Sequence, residues 1–95
     1  MGNVVLKGFI VVPEADIKAM LSELPNHTKL TLKEPGCSLF EVKSRRGEPC
    51  IFDVHEEFID DASFELHQSR IKGTKWADIT ANVERHYKVN RSGSC

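Results

Sequence analysis

No stretch of this 95-residue chain approaches the roughly 18 consecutive apolar residues that cross a bilayer. Its Met1 end also lacks a basic region followed by a long apolar run and a cleavage site. A soluble, cytoplasmic protein with no membrane partner is the expectation. An excess of either charge is missing too, since thirteen Lys and Arg stand against fourteen Asp and Glu, for a formal net charge of −1. Phosphate backbones require a basic surplus, so nucleic acid is not an expected partner. Cysteine is sparse: Cys37, Cys50 and Cys95 have neither the paired spacing of a zinc site nor the density of a disulfide scaffold, and all three read as reduced. There is no internal repeat.

One domain over 1–89, followed by a polar, Gly- and Ser-containing tail over 90–95 that should be flexible, accounts for the whole length. A chain this short buries only roughly two-thirds of its unfolded surface, so its core is small and a partner can share it. Asn3 to Val12 reads as a strand with Val4, Leu6, Ile10 and Val12 on one side and Val5, Phe9 and Val11 on the other. Apolar residues on both sides imply a sheet covered twice. Pro13-Glu14 opens a helix striped by Ile17, Met20, Leu21 and Leu24. Pro25 is expected to break it, and Asn26 to restart a short helix that turns His27 and Leu30 inward.

Cys37 to Ser44 and Cys50 to Phe58 read as a β-hairpin around Arg45-Arg46-Gly47-Glu48. Alternation groups Phe52, Val54, Glu56 and Phe58 on one face, a carboxylate among hydrophobes, and His55 and Glu57 with Ile51 and Asp53 on the other. Asp60 and Asp61 can cap a helix whose apolar surface is supplied by Ala62, Phe64 and Leu66. Phe64, His67 and Ile71 fall at i, i+3 and i+7, which turns His67 toward the core. Gly73 weakens the helical pattern, Trp76, Ile79 and Val83 point to a second short helix, and Arg85 to Val89 reads as a closing strand. Strand, broken helix, two strands, helix pair and strand make an α+β fold of the ferredoxin-like split β-α-β type, with a four-stranded antiparallel sheet. Helices cover one face of that sheet. The other stays apolar, and a homodimer is the simplest way to cover it.

An imidazole titrates near neutral pH, so an inward His67 or His27 can act as a base or as a polar anchor. Each candidate has a plain structural alternative. A lone His on an apolar face is commonly a satisfied core residue, Arg70 can pair with a surface acid, Trp76 can be core, and Glu56 can be a buried hydrogen-bond hub. His27, His55, His67 and His86 are too scattered to form a metal site, so no metal is expected.

Several short motifs stand together: Gly8-Phe9-Ile10 with Val12-Pro13, His27, Leu30-Thr31, Glu34-Pro35-Gly36-Cys37, Phe40-Glu41-Val42, Phe52-Asp53-Val54, Glu56-Glu57-Phe58, Asp60, Phe64-Glu65 and His67-Gln68-Ser69-Arg70. Over Gly8 to about Tyr87 the chain resembles the antibiotic biosynthesis monooxygenase (ABM) domain family, and looks most like its quinol monooxygenase members. The resemblance implies a dimeric α+β barrel in which two ferredoxin-like subunits press sheet against sheet, each with a pocket between helices and sheet. It also implies oxidation of a small aromatic quinol by molecular oxygen without a metal or flavin cofactor. Haem-degrading relatives carry a Trp near the place of His67 and an Asn on the first strand, where this chain has Lys7-Gly8-Phe9, which disfavours that chemistry.

For the oxygenase chemistry, His67 is the candidate base and His27 a second base or anchor. Arg70 is the candidate partner for an oxyanion, Trp76 and Phe64 are candidate stacking walls, and Glu56 contributes to substrate binding. The same fold could instead sequester a small ligand without catalysis, or move protons in a non-oxidative isomerisation.

Overall fold

A computed structural model describes residues 3–91. Seven elements follow in order: β1 (Val4–Val11), α1 (Glu14–Leu32), β2 (Cys37–Arg45), β3 (Glu48–Phe58), α2 (Asp61–Ile71), α3 (Lys75–Ile79) and β4 (Glu84–Arg91). They form one antiparallel sheet in the order β2-β3-β1-β4, the ferredoxin-like arrangement expected from the sequence. The closing strand runs further than Val89 and takes in Asn90 and Arg91. Residues 92–95, with the rest of the expected tail and Cys95, lie outside the described residues.

Register decides which residues meet the helices. Val4, Leu6 and Ile10 of β1, Phe52, Val54, Glu56 and Phe58 of β3, and Phe40 of β2 are buried on the helix-covered face. Pairing of Gly8 with both Val54 and Tyr87 assigns Arg85, Tyr87 and Val89 of β4 to that face as well. The residues of β4 are exposed along its whole length, and α2 meets the strand at its end, where Arg91 pairs with Asp61. On the opposite face Phe9 stacks on His86 with ring centroids 4.6 Å apart, and the Arg45 guanidinium lies over the same ring.

One expectation fails at Pro25, because α1 is continuous from Glu14 to Leu32. Met20, Leu24, His27 and Thr31 form a single buried or half-buried stripe across the proline, and burial of that stripe outweighs the loss of one backbone hydrogen bond. Pro25 itself faces solvent. Asn26 caps nothing; its side-chain amide donates to Glu23 on the exposed surface. The continuous register also moves Leu30 outward, to 42% exposure. On α2, Leu66 faces solvent, 70% exposed, since i, i+3 and i+7 from Phe64 face the sheet.

Both later helices form, although α3 ends at Ile79 and leaves Val83, expected on the same helix, outside it. Asp60 caps α2 by accepting from the Ser63 amide at 2.8 Å, and Thr74 caps α3 by accepting from Ala77 at 3.3 Å. Gly36 lies so close to Ser63 that a Cβ there would come within 1.8 Å of its hydroxyl. This contact draws the loop after α1 against the start of α2 and so brings Glu34 toward His67.

Candidate active site

His67 is 1% exposed, and each of its two ring nitrogens faces a carboxylate. Nδ1 lies 3.0 and 3.1 Å from the two oxygens of Glu34, and Nε2 lies 3.6 Å from Glu56 Oε1. Burial lowers the pKa of His67 below its usual value. The Glu34 hydrogen bond pulls the other way and Arg70 adds to the lowering. The ring is therefore neutral at pH 7, and the Glu34 contact is an N–H donated to a carboxylate rather than an ion pair. With its one proton on Nδ1, the imidazole presents an unprotonated Nε2.

Arg70 holds the far side of this arrangement. Its Nε donates to Glu34 Oε2, and its Nη2 donates to Thr31 Oγ1 at 3.0 Å. The arginine thus lies behind Glu34 and away from the space in front of His67, so the expected role on a substrate oxyanion is not one this geometry gives it.

That space is a cavity of about 280 Å³ between helices and sheet. His67, His27, Trp76 and Glu56 all line it, so the fold unites four of the six expected site residues. Phe64 is not among the lining residues. It packs edge-on against Phe58 at 5.5 Å with Arg91 over its ring, which makes it core. His27 lies flat on Trp76, centroids 4.3 Å and planes 4° apart, and meets Phe40 edge-on at 5.3 Å. Among the described residues nothing hydrogen-bonds its ring nitrogens. Burial first, then His67 and Arg70, push its pKa down to about 3, so it stays neutral.

Glu56 is 8% exposed and accepts no hydrogen bond from any described residue. Burial, reinforced by the nearby Glu34, raises its pKa to about 7. The carboxyl group therefore holds its proton far more readily than a surface glutamate does.

The rim of the cavity carries three residues to which no role was given from the sequence: Gln68, Arg85 and Tyr87. Arg85 donates to Thr80 O and Oγ1, both at 3.2 Å, and to Val83 O at 3.4 Å. These acceptors are neutral, and among the described residues no carboxylate pairs with its charge. Tyr87 is 37% exposed overall, but its hydroxyl end is desolvated. Burial, with Glu56 nearby, pushes that phenol up to about 12 against the opposing pull of Arg85. Alternation along the closing strand puts Arg85 and Tyr87 on one side. What the sequence withholds is which side, and that follows only from the pairing of Gly8 with Tyr87.

No family model and no curated protein matches the chain. Solved structures do. A Nitrosomonas europaea protein named as a candidate antibiotic biosynthesis monooxygenase superposes with a TM-score of 0.76 at 17% identity, covering 98% of this chain and 89% of its own. A structure named an antibiotic biosynthesis monooxygenase gives 0.74 at 20% identity over 100% and 99%. The PA3566 protein from Pseudomonas aeruginosa gives 0.72 at 20% over 96% and 92%. The chain has the fold of these proteins.

Proposed function

We propose that the protein is an ABM-type monooxygenase that oxidises a small quinol with molecular oxygen and needs no added cofactor. The observation behind this reading is the neutral His67, held by Glu34 with its basic Nε2 turned into a cavity that also contains an aromatic wall and an arginine that no carboxylate among the described residues pairs with. A cavity of roughly 150 Å³ accommodates benzene, so about 280 Å³ suits a substrate of one or two rings. That is the small end of ligand pockets.

The reaction is quinol plus oxygen giving hydroxyquinone plus water. It begins when His67 Nε2 takes a phenolic proton, because the phenolate gives up an electron to oxygen far more easily than the phenol. Arg85, in place of Arg70, is the cation positioned for the resulting oxyanion. The His27–Trp76 stack provides a flat surface for the ring, and neutral His27 offers it a hydrogen bond.

We also propose that a second copy covers the open sheet face, where Val5, Phe9, Val11, Leu39 and Ile51 are only half-buried. Sedimentation at micromolar concentration should then give about twice the 10.7 kDa chain mass.

Oxygen uptake by the purified, metal-stripped protein with hydroquinones and naphthohydroquinones tests the function. Uptake above the uncatalysed rate that disappears in His67→Ala is expected. Ligand binding without turnover would instead favour a sequestering barrel, and oxygen-independent conversion of a small metabolite would favour proton transfer alone.

A further inference from the structure

We infer that Glu56 is the acid of the reaction and that it exchanges a single proton with His67 Nε2 across the inner end of the cavity. This rests on the oxygenase reading and adds to it the group that finishes the chemistry. The two atoms are 3.6 Å apart, too far for a resting hydrogen bond but close enough for one oxygen atom beside them to contact both. Glu56 is buried, lines the cavity and has no hydrogen-bond donor among the described residues, an arrangement that penalises its carboxylate and favours its acid form.

The groups around it agree. Burial is the main penalty on its carboxylate, and Glu34, on the far side of His67, adds to it by disfavouring a second negative charge nearby. From α1 the neutral His27 faces the same space, and from α2 Arg70 is already engaged by Glu34. Arg85 and Tyr87 of β4 stand at the rim. One proton shared by two coupled groups, resting on the carboxyl while the imidazole is free to act as base, is the complementary pairing that acid–base chemistry at neutral pH requires.

The steps balance. His67 takes the phenolic proton, and the phenolate and oxygen join as a peroxide on the neighbouring ring carbon. The peroxide recovers that proton from His67. His67 next removes the hydrogen of the peroxide-bearing carbon as a proton. The electrons of that C–H bond form the new carbonyl while the O–O bond breaks, its electron pair leaving with the distal oxygen as hydroxide. Glu56 protonates the hydroxide to water. His67 Nε2 then returns its proton to Glu56, and both groups are restored.

Glu56→Gln keeps the shape but cannot donate a proton. It should lower kcat by about a hundredfold to a thousandfold, leave KM within about twofold, and divert the consumed oxygen from hydroxyquinone to hydrogen peroxide plus simple quinone. Glu56→Asp, which retains the acid, should recover part of the hydroxyquinone yield. Unchanged kcat and product yield in Glu56→Gln would overturn the assignment.

Infrared and nitrogen NMR titration of the protein without substrate gives a readout independent of turnover. A carboxylic-acid band lost in Glu56→Gln, with His67 neutral and protonated on Nδ1 alone at the same pH, is expected. An ionised Glu56 beside a doubly protonated His67 would overturn the shared proton. If the wild type consumes no oxygen with any quinol, the oxygenase reading fails and the acid's role in it fails too, while the titration still decides the pair.

Discussion

Glu34 and His67 are 33 residues apart in the chain and 3.0 Å apart in the fold. The contact fixes which imidazole nitrogen is protonated, and Arg70 fixes the carboxylate in turn. Glu34→Gln can still accept from Nδ1, but without charge, so the tautomer preference weakens. We expect kcat to fall about tenfold to a hundredfold. Because Glu34 raises the pKa of His67 against burial, its loss should also shift the acid limb of the rate profile to lower pH. Nitrogen NMR of the ring should show a mixture of tautomers. A change in melting temperature with an unmoved limb would mean that Glu34 is structural only.

Gly8 is required by the approach of β4. A Cβ at this position would come within 1.9 Å of the His86 carbonyl oxygen, so Gly8→Ala has to push β4 away together with Arg85 and Tyr87. Overpacking of this kind costs about 1–3 kcal/mol, read as a lower urea midpoint, and KM should rise with it. Gly47→Ala is the contrast. That position has φ of 80° and nothing within 4 Å, so only the backbone penalty of roughly 1 kcal/mol applies and KM should not move.

Stability should depend on pH through two buried groups of opposite sense. Glu56 titrates near 4.5 when unfolded and near 7 when folded. Between these values the native state binds more protons, and stability falls as pH rises through the window, by on the order of 3 kcal/mol. His27, lowered from 6.5 to about 3, binds fewer protons when native, so its contribution is lost as pH falls through that range. The two trends offset where they overlap. Glu56→Gln should therefore gain stability relative to wild type at pH 8 but not at pH 4.5, and His27→Phe should flatten the acid side. Denaturation midpoints across this range check both signs.

How much of this could be read from the sequence depends on the range of the interaction. Alternation in β3 was enough to place Glu56 among Phe52, Val54 and Phe58, and helical spacing was enough to turn His67 inward, because both are periodicities of one element. His27 was placed correctly although the helix break expected at Pro25 was not, since a proline on the solvent side leaves the buried stripe intact. Arg70 was expected at the substrate and Arg85 was given no role, for a different reason. Arg70 is one turn from His67, but Glu34 competes for it from another loop, and Arg85 reaches the cavity only through strand pairing. Neither fact is local, and no spacing rule contains it.

The different surroundings of the two arginines, Arg70 on Glu34 and Arg85 at the cavity, make a sharp contrast. Arg85→Gln removes the cation at the rim while Thr80 and Val83 keep the fold locally closed, so binding of an anionic hydroxyaromatic ligand should weaken by about tenfold to a hundredfold, as for a hydrogen bond to a charged group. Arg85→Lys should restore only part of it, because an ammonium cannot hold Thr80 and a ligand oxygen in one planar fork. Arg70→Gln should leave that affinity nearly unchanged and lower kcat instead, through the released Glu34. Calorimetry with a substrate-like phenol under nitrogen, alongside kcat in oxygen, separates the two effects. If Arg70→Gln weakens binding and Arg85→Gln does not, the cavity is entered from the α2 side and the rim at β4 is not where the substrate's charge is held.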